Sequence, residues 1–100
     1  MATSGRPSDR IDAHRAAMRA VIARHHATSP QVIGSVARGE DHVGSDLDLL
    51  VEFSDEASLL DEIGLRLELE ELLGVNVDIV AIDALRGHFR DRVLDEAVPL

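Results

Sequence analysis

The sequence contains no cysteine, lysine, tryptophan or tyrosine, and its only aromatic side chains are Phe53 and Phe89. Without cysteine there is no disulfide, no thiolate nucleophile and no cysteine-held zinc or iron–sulfur cluster. Without lysine there is no Schiff-base chemistry and no phosphate-loop lysine. All ten basic residues are arginines, whose planar forks suit phosphates and carboxylates. Two phenylalanines are too few for an aromatic platform that stacks single-stranded nucleic acid. The formal net charge of −9 also opposes non-specific binding to phosphate chains, which needs a cationic surface. No apolar run approaches the roughly 20 residues of a membrane span. Residues 1–9 are small and polar, without the apolar stretch of a secretory signal, so a cytoplasmic location is expected.

One hundred residues, 45% of them hydrophobic and 29% charged, are expected to form one domain with a modest core. Residues 1–9 read as a disordered N-terminus and residues 10–100 as the domain. Ile11, Met18, Val21 and Ile22 recur near helical spacing and predict a first helix of about 17 residues. Ser29 and Pro30 break the pattern, and a short strand over 31–33 runs into Gly34 and Ser35. Residues 38–45 form a loop, with or without one helical turn. Asp46–Phe53 alternates at its start and reads as a strand. Glu56–Leu73 is a leucine-rich helix stopped by Gly74. Leu59, Leu60, Ile63 and Leu67 form one of its stripes. Leu65, Leu69, Leu72 and Leu73 form a second, which is either a partner surface or the covered side of an internal helix. Val75–Ile82 is a second buried strand, and Asp83 is expected to cap a last helix in which Leu85, Phe89, Val93 and Ala97 recur. The fold class is α/β (α+β): a small mixed sheet of three to four strands flanked by helices.

Chemistry concentrates in the strands. Two carboxylates two residues apart on a strand share a face, so Asp46 and Asp48 can converge on one ion while Leu47, Leu49 and Val51 bury on the other side. Charges at the start of an apolar strand are costly unless compensated, and a divalent cation compensates them. Magnesium takes oxygen ligands, typically one or two carboxylates completed by water and substrate phosphates. Asp78 repeats the anomaly between Val77 and Ile79 on the next strand. Three strand aspartates with two metal ions suit in-line phosphoryl or nucleotidyl transfer. Upstream, Gly34 and Ser35 end a strand where the missing side chain lets backbone amides approach a phosphate.

Gly34-Ser35, ten residues, then Asp46-Leu47-Asp48 is the pattern GSx10DxD of the nucleotidyltransferase superfamily related to DNA polymerase beta. Chance would supply about 0.005 such matches in a chain of this composition, which sets coincidence aside. The longer run GSVARGEDHVGSDLDLLVEF, followed by VNVDIV, resembles the minimal nucleotidyltransferase (MNT) branch over most of residues 10–98. The resemblance implies the nucleotidyltransferase fold, ATP as substrate and two Mg2+ ions as cofactors. It also implies a HEPN-domain ribonuclease toxin as partner, because members of this branch are commonly antitoxins paired with such a toxin, and the better understood of them transfer AMP from ATP to a toxin tyrosine. By matching positions, Asp46, Asp48 and Asp78 would be the catalytic and metal-binding residues, with Asp78 as base for the incoming hydroxyl. Gly34, Ser35, Arg38 and Ser45 would form the nucleotide-binding set, with Ser45 fixing the loop before the first aspartate. Arg38 either supports the phosphates or is an ordinary salt-bridge residue, and Asp78 either joins the metal site or pairs with an arginine. The five histidines read as solvated or structural rather than as ligands.

Two other functions remain open at this level: an antitoxin that masks its toxin by contact alone, and a transferase for a small hydroxylated acceptor such as an aminoglycoside. One hundred residues are expected to hold no second domain that selects an acceptor, so the partner is expected to supply part of that surface.

Overall fold

A computed structural model describes residues 5–100. Its order is α1 (Pro7–Arg24), β1 (Ala27–Ile33), α2 (Gly34–Ala37), β2 (Leu47–Phe53), α3 (Leu59–Leu73), β3 (Val77–Ala81), a 3-10 turn (Ile82–Ala84), α4 (Gly87–Glu96) and β4 (Val98–Pro99). The four strands form one mixed sheet in the order β3-β2-β1-β4. β2 pairs parallel with β3 and antiparallel with β1, and β4 closes the other edge antiparallel to β1. The connection from β2 to its parallel neighbour β3 carries α3, as a parallel pair requires a crossover.

Strand alternation divides the side chains between two layers. Leu47, Leu49 and Val51 of β2 and Val77 of β3 join Ile11, Met18, Val21 and Ile22 of α1 and Leu65, Leu69 and Leu73 of α3 in the main core. The opposite face is thinner: Ile33, Leu50 and Leu85 are buried there, with Val93 and Leu94 of α4 packed against them. Of the stripe Leu65, Leu69, Leu72 and Leu73, Leu72 is partly buried and the other three are fully covered, so this is the inner side of α3 and not a partner surface. Leu59, Leu60, Ile63 and Leu67 are the residues left in solvent.

Several boundaries differ from expectation, each for a local reason. Part of the segment 1–9, expected as a disordered lead-in, is helical: α1 begins at Pro7, which is buried at the first helical position, where its missing N–H costs nothing. Residues 1–4 lie outside the described residues. β1 starts at Ala27 because Ser29 and Pro30 occupy a bulge, two residues facing one between the pairs Thr28–Glu52 and Gln31–Leu50. Ser29 has φ +52°, and a bulge is where a strand accepts a proline. Asp83 makes no side-chain cap. It sits in the 3-10 turn, Leu85 is extended, and α4 begins only at Gly87. Phe89, expected in the core stripe of that helix, is 58% exposed.

α1 and α3 are clamped by charge as well as by leucine packing. His25 Nε2 lies 2.7 Å from Glu68 Oε1 and its Nδ1 lies 3.5 Å from Asp61, while Arg24 also pairs with Glu68. The His25 hydrogen bond, followed by the Arg24 pair, holds Glu68 below the usual carboxylate range. Mid-helix Gly64 is explained by the same clamp, because a Cβ there would come 2.8 Å from His25 Cε1. Gly64→Ala is therefore expected to destabilise the protein by about 1 kcal/mol. In a His25→Ala background the same substitution should instead stabilise it by about 0.5–1 kcal/mol through helix propensity. Urea unfolding of the four variants checks the change of sign.

Candidate active site

The thin face of the sheet carries the carboxylates. Asp48 has the same strand parity as Leu50, and Asp78 the same parity as Val80, so both project away from the leucine core. In the parallel register Asp48 pairs directly with Asp78. Burial is the largest influence on Asp48, followed by the charge of Asp78, a hydrogen bond with Asp78 and the charge of Asp46; together they push its pKa up, against the pull of Arg38. Asp46 immediately precedes β2 and is exposed, as is Asp78, while Asp48 is half-buried.

Gly34 closes the site from the β1 side. It has φ +73°, and a Cβ there would collide with Asp48 Oδ2, so both the backbone turn and the close approach require glycine. Ser35 follows in the first turn of α2, outside the cleft that Gly34, Arg38 and Asp48 line. That cleft measures about 480 Å³, and its other wall is α4, through Phe89, Arg92 and Glu96. Arg38 bonds Glu40 at 2.9 Å and Glu96 at 3.2 Å, so it bridges α2 to α4 and does not pair with Asp78. Ser45 is placed elsewhere. Its Oγ accepts the His42 backbone N–H at 2.9 Å, tying the turn before Asp46, and it lines a separate cavity beside Asn76. Gly34, Arg38, Asp48 and Asp78 are thus brought together, Asp46 flanks them, and Ser35 and Ser45 shape the segments on either side.

Two contributors were not legible beforehand. The α4 wall reads in the sequence as a core stripe through Phe89, whereas positions 89, 92, 93 and 96, at helical spacing, are the ones that face the cleft. Asp41 looks like one more loop acid, yet its side chain is fully buried. It accepts the Ser8 backbone N–H at 2.9 Å and pairs with Arg6 at 3.2 Å, fastening the loop that leads to Asp46 onto the first turn of α1. Nothing local in the sequence points from residue 41 to residue 8, so the helix N-terminus that satisfies this carboxylate is met only in the fold.

The donors present are all oxygens, and a divalent cation would offset the burial and the neighbouring carboxylates that push the pKa of Asp48 up. Among the described residues no three His, Cys, Asp or Glu side chains form a ready cage. Magnesium fits such a set, because water and substrate phosphates complete its shell.

A strand pair carrying facing aspartates, beside a glycine turn against one of them, is the arrangement expected from the GSx10DxD spacing with Asp78 on the next strand. The chain belongs to the nucleotidyltransferase domain family, which matches residues 22–100. Among its relatives is the protein adenylyltransferase MntA of Thermococcus cleftensis, 45% identical over 67 residues, which are 67% of this chain and 68% of that protein. A protein of Methanocaldococcus jannaschii, provisionally named a protein adenylyltransferase, is 41% identical over 78% of this chain and 84% of its own. A solved structure, provisionally described as a minimal nucleotidyltransferase, superposes with TM-score 0.84 at 49% identity, covering 93% of this chain and 95% of that one. A toxin–antitoxin crystal structure with AMP-PNP shares the fold at TM-score 0.70 and 19% identity, over 82% of this chain and 68% of that one.

Burial pushes Asp41 up, but the hydrogen bonds from Ser8 and Arg6 outweigh it and hold the carboxyl below its usual range. Its contribution is therefore present above the ordinary carboxylate pKa and is lost as pH falls through the lower folded value. Asp41→Asn should cost about 1–3 kcal/mol at neutral pH, with the difference from the unsubstituted protein shrinking in acid. Denaturant melts across pH 2–7 measure it.

Proposed function

We propose that the protein is an antitoxin that transfers AMP from ATP to a tyrosine hydroxyl of a cognate HEPN ribonuclease toxin in the cytoplasm, with Mg2+ as cofactor. The observation that carries the reading is the pairing of Asp48 with Asp78 against the Gly34 turn. Support comes from the adenylyltransferase names of the relatives and from the fold shared with a toxin–antitoxin structure.

In this reading the acceptor oxygen attacks the α-phosphorus of ATP. An oxygen–phosphorus bond forms, the bond from the α-phosphorus to the bridging β-oxygen breaks, and pyrophosphate leaves. Asp78, exposed and facing Asp48, takes the proton of the hydroxyl. Asp46 and Asp48 would hold magnesium, two ions in the full arrangement, which supplies charge stabilisation at the attacking and leaving oxygens. The turn at Gly34 and Ser35 offers backbone amides to the phosphate chain, Arg38 adds a cation beside Asp48, and Ser45 keeps the loop before Asp46 in shape.

Neutralisation of the toxin by contact alone is a second reading, favoured by the exposed stripe Leu59, Leu60, Ile63 and Leu67 on α3. The two part cleanly in one experiment. The protein is incubated with ATP, magnesium and the toxin from the neighbouring gene, and the toxin is weighed by mass spectrometry. AMP additions are expected, and Asp46→Asn combined with Asp48→Asn should slow them by roughly 10²-fold or more. A toxin of unchanged mass that is nevertheless neutralised would leave the contact reading in place.

A further inference from the structure

The cleft beside Asp48 has a wall that the transfer reaction described above leaves without a role. α4 presents one face to it, formed by Phe89, Arg92, Val93 and Glu96 at i, i+3, i+4 and i+7. These positions differ in what they do. Val93 packs onto the cluster of Ile33, Leu50 and Leu85 and seats the helix. Glu96 holds Arg38. Phe89 and Arg92 have no such duty: Phe89 is 58% exposed, and Arg92 forms no ion pair among the described residues.

An exposed phenylalanine in a chain with one other aromatic residue calls for a partner with a flat apolar face. An arginine without an ion pair among the described residues, Arg92, in a cleft that it shares with Arg38, Asp48 and Glu96, calls for an anion. A nucleoside triphosphate has both, and the cleft's volume of about 480 Å³ is within the range of small-ligand sites. Arg38, engaged by two glutamates, is the less available of the two cationic groups lining the cleft.

We propose that α4 is the nucleotide-binding wall of the site: Phe89 stacks on the nucleobase, and Arg92 pairs with the phosphate chain. The proposal rests on the nucleotidyl-transfer reading and adds to it the residues that hold the base. Stacking on an aromatic ring is worth about 1–3 kcal/mol per base, or about 5- to 150-fold in affinity.

Calorimetric titration with magnesium ATP and, separately, with magnesium tripolyphosphate, which has no base, tests it without any acceptor. Phe89→Ala is expected to weaken ATP binding about 10-fold or more and to leave tripolyphosphate within twofold, with Phe89→Tyr restoring ATP binding. Arg92→Ala should weaken both ligands by similar factors. Because both side chains are exposed, the variants are expected to fold, and circular dichroism confirms it. Unchanged ATP affinity in Phe89→Ala, or equal loss for both ligands, overturns the stacking role alone. An unsubstituted protein that binds neither ligand overturns the transfer reading and this wall with it.

Discussion

Two carboxyl groups held side by side on a half-covered sheet face are the constraint around which the rest of the molecule is arranged. Left to themselves, Asp48 and Asp78 repel, and burial raises the cost of charging Asp48. Arg38, whose charge offsets part of that cost, is shared with Glu40 and Glu96. What keeps the two together is the apolar alternation on the other side of the same strands. Leu47, Leu49, Val51 and Val77 are buried under α1 and α3, and a slip of one residue between β2 and β3 would exchange those side chains for the aspartates. The leucine core thus sets the register, and the register sets the spacing of the charges.

The loops complete what the register begins. Gly34 lets the chain turn over Asp48 at no steric cost. Asp41, from within the segment that leads to the first aspartate, takes hold of the start of α1. One contact is a close approach made possible by an absent side chain, and the other is a buried charge satisfied by a helix N-terminus. Both convert a flexible stretch, residues 34–46, into a positioned one.

Much of this was legible in the amino-acid order, because the signals were local. The periodicity of α1, the alternation of β2 and the GSx10DxD spacing each depend on neighbours within a few residues, and the buried residues Ile11, Met18, Val21 and Ile22 are those the pattern indicated. What was missed depends on partners far along the chain. Asp41 meets Ser8 across 33 residues, and β4 is a two-residue strand with too little pattern to read. The two stripes of α3 are chemically alike, so only the position of α1 shows that Leu65, Leu69 and Leu73 are inside. Phe89 fits a core stripe by spacing alone, but the 3-10 turn at Ile82–Ala84 delays and rotates the start of α4 and turns that ring outward.

The sheet is also a partition. Asp48 and Asp78 stand on one face, while α1 and α3 cover the other, so the outward leucines of α3 have no side chain in common with the cleft. Substitutions along that outer stripe reach the carboxylates only through a full layer of packed strand residues. A lineage can therefore redraft the surface it shows to its surroundings while its reaction chemistry is inherited unaltered, and the two traits are free to evolve at different speeds.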